Sequence, residues 1–360
     1  MTLSLVIPTY NERENIPRLL ALLKEEFEGE RIRGEIIVVD DNSPDGTGQI
    51  AERLRDSYPD LKVIHRKGKS GLTSAVMAGF ASADGDVLGV MDADLSHPVS
   101  KLHEMLACVS KEGADIVIGS RYVPGGGIEG WNLYRKALSK GATLLARVFV
   151  STSDPMTGFF LVRREFVEGQ QIDAKGFKIL LEILVKTKCR NIIEVPITFT
   201  NRTAGTSKAG IGEIVYYLWN LIGYIPYKKN VVLEFFKFAL VGGIGTLVNL
   251  AVLYLLTEYA RIYYIFSAVV AFFVAVTCNF ILNKLWTFGE SLHSDLPKKY
   301  SRFVLVGTAA LSVNICFLYI LTEFFGIHYF LSQVISIGLA LMINFIGNKI
   351  WTFRQAPRIL

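Results

Sequence analysis

Val87–Pro98 reads V-L-G-V-M-D-A-D-L-S-H-P. Its first part is a short apolar run with β-branched residues, the pattern of a strand buried on both faces. Its second part places two carboxylates, Asp92 and Asp94, one residue apart where that strand should end. Two acids just past a buried strand are costly unless something cationic neutralises them. A hard divalent ion with oxygen ligands does this, and it accepts diphosphate oxygens in turn. D-x-D alone is a weak signal. Behind a buried strand of the right domain type it becomes a strong one.

Similar runs occur on either side, at Leu3–Pro8, Ile36–Asp40, Leu61–His65 and Ile116–Gly119. Between the runs, Ile16–Phe27, Gly46–Tyr58, Gly71–Ala83 and Val99–Lys111 are each long enough for a helix. Strand and helix in alternation predict a parallel sheet wrapped by helices, with ligands beyond the carboxyl ends of the strands. Those ends carry Pro8-Thr9-Tyr10-Asn11-Glu12 and Asp40-Asp41-Asn42-Ser43-Pro44-Asp45. Carboxylates and amides there can hydrogen-bond a base and a ribose, and Tyr10 can stack. Asn11 and Asp45 also stand where helix N-caps belong. No G-x-G-x-x-G follows the first strand, which argues against NAD or FAD. Beyond Gly119 the pattern loosens into a Gly-rich loop, a helix near Arg135–Val150, and extended stretches at Asp154–Val162 and Ile192–Thr200. A helix at Phe177–Lys188 lies between those stretches, and Arg202–Gly210 closes the domain.

The chain has 360 residues, 51% of them hydrophobic, and the apolar residues are unevenly spread. Residues 1–210 read as a globular α/β domain, and 231–360 as a membrane domain. Between them, 211–230 has Tyr216, Tyr217, Trp219, Tyr224 and Tyr227 ahead of Lys228-Lys229, as an amphipathic helix at headgroup level does. Phe235–Leu256, Tyr263–Leu282, Phe303–Thr322 and Tyr329–Ile346 can each cross a hydrocarbon layer of roughly 30 Å. They repeat: the offset from Phe238 to Phe303 also carries Asn249 to Asn314, Asn283-Lys284 to Asn348-Lys349, and Trp286-Thr287-Phe288 to Trp351-Thr352-Phe353. The membrane domain is therefore a duplicated hairpin, 235–288 and 300–353, in parallel rather than inverted topology.

Asn249, Asn279, Asn283 and their copies are expected to hold helices together. Lysines and arginines gather on one side of the spans, so the positive-inside rule puts the N-terminal domain and the C-terminus in the cytoplasm. The net charge of +5 fits this loop bias, and no basic patch with interleaved aromatics suggests nucleic acid. Cys108, Cys189, Cys278 and Cys316 are scattered, with neither zinc nor disulfide spacing.

Residues 3–208 resemble inverting family 2 glycosyltransferases, specifically the dolichyl-phosphate mannose synthase group. The resemblance rests on I-P-T-Y-N-E (Ile7–Glu12), V-D-D-N-S-P-D-G-T (Val39–Thr47), M-D-A-D-L-S-H-P (Met91–Pro98), G-S-R-Y (Gly119–Tyr122), Tyr134-Arg135-Lys136, D-P-M-T-G-F-F (Asp154–Phe160), G-F-K-I-L (Gly176–Leu180) and G-T-S-K (Gly205–Lys208). The membrane half is similar to GtrA-like domains. The resemblance implies a Rossmann-like, GT-A type catalytic domain that takes GDP-mannose and a dolichyl or other polyprenyl phosphate at the cytoplasmic face of the cell membrane.

It further implies nucleotide-sugar contacts at Pro8, Tyr10, Glu12, Val39, Asp40, Asp41, Asp92, Ala93, Asp94, Lys178, Arg202 and Lys208. Mg²⁺ or Mn²⁺ would be held by Asp92 and Asp94 together with Ser96, where many relatives have Gln. Arg121, Arg135 and Ser139 would receive the acceptor phosphate, and Asp92, Asp94 and Arg121 would be catalytic. Arginine suits phosphate because its planar fork can clamp two oxygens.

A sugar hydroxyl needs a general base, whereas an ionised phosphate monoester does not. The second half of the domain has no Glu-Asp base pair and no Q-x-x-R-W signature of processive synthases, which fits a phosphate acceptor. Asp154 reads as an anchor. Two alternatives remain at this point: a UDP-glucose-dependent dolichyl-phosphate glucosyltransferase, and a lipid-linked sugar flippase built on the hairpins. The membrane domain is also a candidate surface for self-association.

Overall fold

The computed structural model describes residues 1–68, 71–172, 178–201, 211–291, 295–353 and 358–359. The chain divides into two units, Met1–Tyr227 with Ala356–Leu360, and Lys228–Gln355.

The first unit is an α/β/α sandwich. Its strands are β1 (Leu3–Thr9), β2 (Gly34–Asp40), β3 (Leu61–His65), β4 (Val87–Val90), β5 (Ile116–Ser120), β6 (Gly127–Ile128), β7 (Phe160–Arg163), β8 (Ile192–Pro196), β9 (Thr198–Phe199) and β10 (Arg358–Ile359). Its helices are α1 (Ile16–Gly29), α2 (Thr47–Leu54), α3 (Leu72–Ala81), α4 (Leu102–Lys111), α5 (Leu133–Ala146), α6 (Ile179–Lys186) and α7 (Ile211–Gly223). Among the described residues the main sheet runs β10-β8-β5-β7-β4-β1-β2-β3, and β6 pairs with β9 separately.

Alternation along each strand feeds two cores. Leu3, Leu5 and Ile7 of β1 pack with Ile16, Leu19 and Leu23 of α1 and with Leu102 and Met105 of α4. Val6 faces the other side, towards Val76 and Phe80 of α3 and Ile183 of α6. The sheet is not wholly parallel as the alternation predicts: β7 runs antiparallel between β4 and β5. The extended stretch expected over Asp154–Val162 becomes a strand only at Phe160. Its first residues form turns, which free Asp154 and Gly158 to approach the strand ends. The helix expected at Gly46–Tyr58 ends in a 3-10 turn after Leu54.

The order β3-β2-β1-β4 reverses direction at β1, making a topological switch point between β1 and β4, where ligands bind in open α/β sheets. Beyond β1, β2 and β4 the chain turns through left-handed residues: Asn11 (φ 61°), Asn42 (φ 58°) and Leu95 (φ 60°). Asn11 therefore does not cap α1. Its backbone N–H donates to the Ser43 hydroxyl, and the residue before α1 is Asn15. Asp45 is not the N-cap of α2 either, that residue being Gly46, but its carboxylate braces the start of the helix by accepting from the Thr47 N–H at 3.0 Å.

Leu221 of α7 and Tyr224 just beyond it are buried, and the Tyr217 hydroxyl donates to the Ala142 carbonyl on α5 at 2.6 Å. Tyr216, Trp219 and Tyr227 are exposed. The aromatic cluster read from the sequence thus splits between an inward and an outward face.

The second unit contains α8 (Lys229–Tyr254), α9 (Tyr264–Leu282), α10 (Leu296–Tyr319) and α11 (Tyr329–Gly347), each continued by a five-residue π-helical turn. With those turns, the described residues hold four helices long and apolar enough to cross a membrane. The duplication is visible in three dimensions. Phe238 packs edge-on against Phe345 at 5.7 Å, and its copy Phe303 packs against Phe280, the copy of Phe345, at 5.6 Å. Phe288 and its own copy Phe353 stack at 4.6 Å. Reciprocal contacts of this kind are those of a twofold interface, here within one chain.

Lys284 lies at the end of the second span and is fully buried, paired with Glu290, which also pairs with Lys299. Its copy Lys349 pairs with Glu234. The Asn283 and Asn348 amides donate to carbonyls one turn back in their own helices, at Asn279 and Asn344. Those bonds are therefore made within a helix rather than between helices. Asn279 does reach a neighbour, lying against Gly245 of α8, where a Cβ would meet its amide at 2.2–2.5 Å.

Candidate active site

β4 ends at Val90, so Asp92 and Asp94 stand in the turn beyond it, next to the carboxyl end of β1. Asp94 is buried and accepts from the Ser96 N–H at 3.1 Å. The Ser96 hydroxyl is buried and has no hydrogen-bond partner. His97 Nε2 lies 3.2 Å from Asp92 Oδ2, with its ring packed on Phe159 and Phe199.

Among the described residues no three His, Cys, Asp or Glu side chains gather as a metal site. Two carboxylates and an orphaned hydroxyl are nevertheless an oxygen set suited to a hard divalent ion whose other positions go to water and phosphate. Leaving a buried hydroxyl unpaired costs about 1–3 kcal/mol, and a bound ion or its water would remove that cost. The residues fit Mg²⁺ or Mn²⁺.

Beside this turn, the ends of β1 and β2 meet through the Asp41 N–H, which donates to the Thr9 carbonyl. Asp40 is buried and accepts from the Ser43 hydroxyl (2.5 Å), the Ser43 N–H (3.1 Å) and Thr9 Oγ1 (3.3 Å). Asp41 is also buried, accepting from Arg66 Nη1 at 2.8 Å and the Gly71 N–H at 3.0 Å. Both acids thus organise the loop as well as facing the crevice end of β2. The Glu12 N–H donates to Thr47 Oγ1, and Asn15 Nδ2 to Glu12 Oε2, which sets the Pro8–Glu12 segment against the start of α2. Pro8, Tyr10, Val39 and Ala93 lie in or just after these same three strands. Lys178 directly precedes α6. Arg202 and Lys208 fall outside the described residues.

Arg121 follows β5 and is buried. Its Nε and Nη2 donate to Asp154 Oδ2 (2.7 Å) and Oδ1 (2.8 Å), and its backbone N–H donates to Oδ2 at 3.0 Å. Burial works against the guanidinium charge, but the Asp154 pairing more than offsets it and holds Arg121 above its ordinary value. The guanidinium also lies over the rings of Tyr122, Trp131 and Phe199 at 5.3–5.8 Å. Arg135 stacks on Trp131 at 4.0 Å, and Asn132 caps α5 by accepting from the Arg135 N–H. Ser139, one turn on, shares a hydrogen bond with the Tyr122 hydroxyl at 2.9 Å. The three residues read as phosphate-binding are therefore linked through Tyr122 and Trp131.

The opposite face of α5 is unusual for a globular surface. Leu133 is 85% exposed and Tyr134 76%, and Leu138 and Leu144 are exposed further along.

Several residues of this neighbourhood escaped sequence reasoning. Gly158 and His97 sit inside quoted motifs without a role. Trp131, whose buried indole N–H has no hydrogen-bond partner, carries no periodic signal. Glu194, fully buried in β8, was detectable as an acid within the apolar run Ile192–Val195.

Residues 4–169 match the model for glycosyl transferase family 2, and residues 237–353 match the GtrA/DPMS transmembrane domain. A dolichol-phosphate mannosyltransferase of Pyrococcus furiosus is 38% identical over 97% of this chain and 98% of its own length. One of Saccharomyces cerevisiae is 38% identical over 61% of this chain and 85% of its own. A polyprenol monophosphomannose synthase of Mycolicibacterium smegmatis is 38% identical over 63% and 90%. With near full-length similarity across both halves, this chain belongs to glycosyl transferase family 2, in the dolichol-phosphate mannosyltransferase group that carries a GtrA/DPMS transmembrane domain.

Proposed function

We propose that the protein transfers mannose from GDP-mannose to dolichyl or another polyprenyl phosphate, with inversion, at the cytoplasmic face of a membrane. The observation that carries this reading is α5. Arg135 and Ser139 join the cluster around Arg121, while Leu133, Tyr134, Leu138 and Leu144 leave the helix's other side apolar and exposed. An acceptor that is phosphate at one end and hydrocarbon beyond it matches both faces. The names of the similar proteins support mannose as the sugar.

The strand ends at Pro8–Glu12 and Val39–Asp41 would take the nucleoside, and Asp92, Asp94 and Ser96 would hold the divalent ion. That ion, when bound, offsets the negative charge that grows on the departing nucleoside diphosphate. His97 keeps Asp92 oriented. Arg135, Ser139 and Arg121 receive the acceptor phosphate and aim one oxygen at the anomeric carbon, opposite the leaving group, so an α-linked donor gives a β-linked product.

A phosphate monoester is largely ionised above its second pKa of about 6, so no proton need be removed. This agrees with Asp154, whose carboxylate is engaged by three nitrogens of Arg121 rather than poised as a base.

The test is transfer of radiolabelled sugar from GDP-mannose or UDP-glucose to dolichyl phosphate, with Mn²⁺ or with EDTA. Mannolipid formed from GDP-mannose only with metal, and β-configured by NMR, is the expected result. Glucolipid alone would overturn the donor, and glycolipid from neither would overturn the reading.

A further inference from the structure

Glu194 lies midway along β8 with 0% exposure, between Ile193 and Val195. An ionisable side chain there has no packing advantage over Val or Leu and costs desolvation. Its oxygens are both used on backbone. Oε2 accepts from the Ser153 N–H at 2.8 Å and Oε1 from the Asp154 N–H at 3.1 Å. Asp154, also fully buried, then grips Arg121 through the three bonds described above. Glu194 thus holds the backbone of the residue that holds the guanidinium. Neither link is screened by solvent. Burial pushes the Glu194 carboxyl up, and the two amide donors act against that shift.

We propose that Glu194 is a positioning residue for sugar transfer: by fixing the Ser153–Asp154 backbone, it sets the orientation in which Arg121 meets the acceptor phosphate. This rests on the reading of Arg121 as a phosphate-binding residue, and predicts that Glu194 affects the acceptor step selectively.

Glu194→Gln keeps the shape but turns an NH₂ donor towards a backbone N–H. In the full-length enzyme, KM for dolichyl phosphate should rise about tenfold, a size set by one mispaired buried donor. KM for GDP-mannose should stay within about twofold, because Arg121 and not the nucleotide pocket is disturbed. Combined with Arg121→Lys, Glu194→Gln should add little further, since both changes act on one interaction.

An unchanged acceptor KM in a folded Glu194→Gln protein, an equal rise in both KM values, or additive costs in the double variant would each overturn the proposal. If Glu194→Gln does not fold, Glu194→Asp retains a carboxylate and should give a folded enzyme with the same selective rise in acceptor KM. Failure of both to fold would overturn the proposal by making Glu194 purely structural. A wild type that transfers nothing to polyprenyl phosphate overturns the functional reading and this inference with it. A working wild type with an unmoved variant overturns only the inference.

Discussion

The Asp92 carboxylate rests directly against the backbone of Gly158: a Cβ at position 158 would lie 2.6 and 2.7 Å from the two carboxylate oxygens. Antiparallel β7 brings the two together, because its pairing with β4 carries the turn before Phe160 alongside the turn after Val90. Gly158→Ala is therefore expected to push Asp92 aside while leaving the apolar cores intact. Shifts of a ligand's support typically cost 10–100-fold in metal affinity or activity, so Mn²⁺ affinity measured by EPR should fall by about that factor. Wild-type affinity in this variant would show that Asp92 does not ligate the ion.

Asp92→Asn and Asp94→Asn should each reduce mannosyl transfer by about a hundredfold or more, because each removes a charge that would hold the proposed cation. Ser96→Ala should cost about tenfold or less, as expected of a neutral hydroxyl that supports rather than anchors the ion. Initial rates across a Mn²⁺ titration separate the two cases. A larger loss for Ser96→Ala than for Asp94→Asn would reverse the assignment.

Asp154→Asn strands the Arg121 guanidinium without its counter-charge at a buried position. Breaking a buried pair by removing one partner costs about 3–5 kcal/mol, so the catalytic unit's melting transition should drop markedly. An exposed pair such as Arg55–Glu52 should give about 0–1 kcal/mol when Glu52 is replaced by Gln. Differential scanning fluorimetry on both variants checks the contrast.

The α5 surface predicts a chain-length effect. Tyr134→Asp places a charge on the apolar face and should raise KM for long-chain dolichyl phosphate by about tenfold, the loss expected from weakening one aromatic's burial in lipid. A short, water-soluble prenyl phosphate should be affected much less. Equal effects on both acceptors would remove α5 from the lipid-facing surface.

Glu35 supplies a pH dependence. Burial alone would raise its carboxyl, but hydrogen bonds from Lys62, Ser4 and the Asp84 N–H hold it below the ordinary range. A depressed folded pKa adds stability that is complete above the ordinary glutamate value of about 4.3 and is lost as pH falls through the lower folded value. Wild type should therefore lose more stability than Glu35→Gln on going from about pH 5 to about pH 3. Parallel melting curves in that window would expose the difference, and identical slopes would refute it.

Much of the architecture was legible because it is written in local patterns. Apolar runs of strand length, the carboxylates after Val90, and the copies Phe238/Phe303 and Asn283/Asn348 depend only on neighbours in sequence. The antiparallel course of β7 was not legible, because a buried strand's composition is the same in either direction. Asn11 looked like a cap for α1 since Asn favours both N-caps and left-handed turns, and the contact with Ser43 on another strand's loop decided between them. Trp131 and Glu194 gain their meaning only from residues distant in the chain.

By itself the sequence determined an α/β catalytic unit followed by a duplicated membrane hairpin, and pointed to phosphate and metal chemistry at the strand ends. Hydrophobic periodicity and internal repetition carry that much, because burial of apolar surface selects elements by their spacing. Only the tertiary structure decided that Asp154 is spent on Arg121, that Glu194 stands behind Asp154, that Gly158 makes room for Asp92, and that α5 turns an apolar face outward. Those are questions of which donor meets which acceptor across the fold. A hydrogen bond needs its partners within about 3 Å, and sequence spacing cannot specify that for residues on different strands.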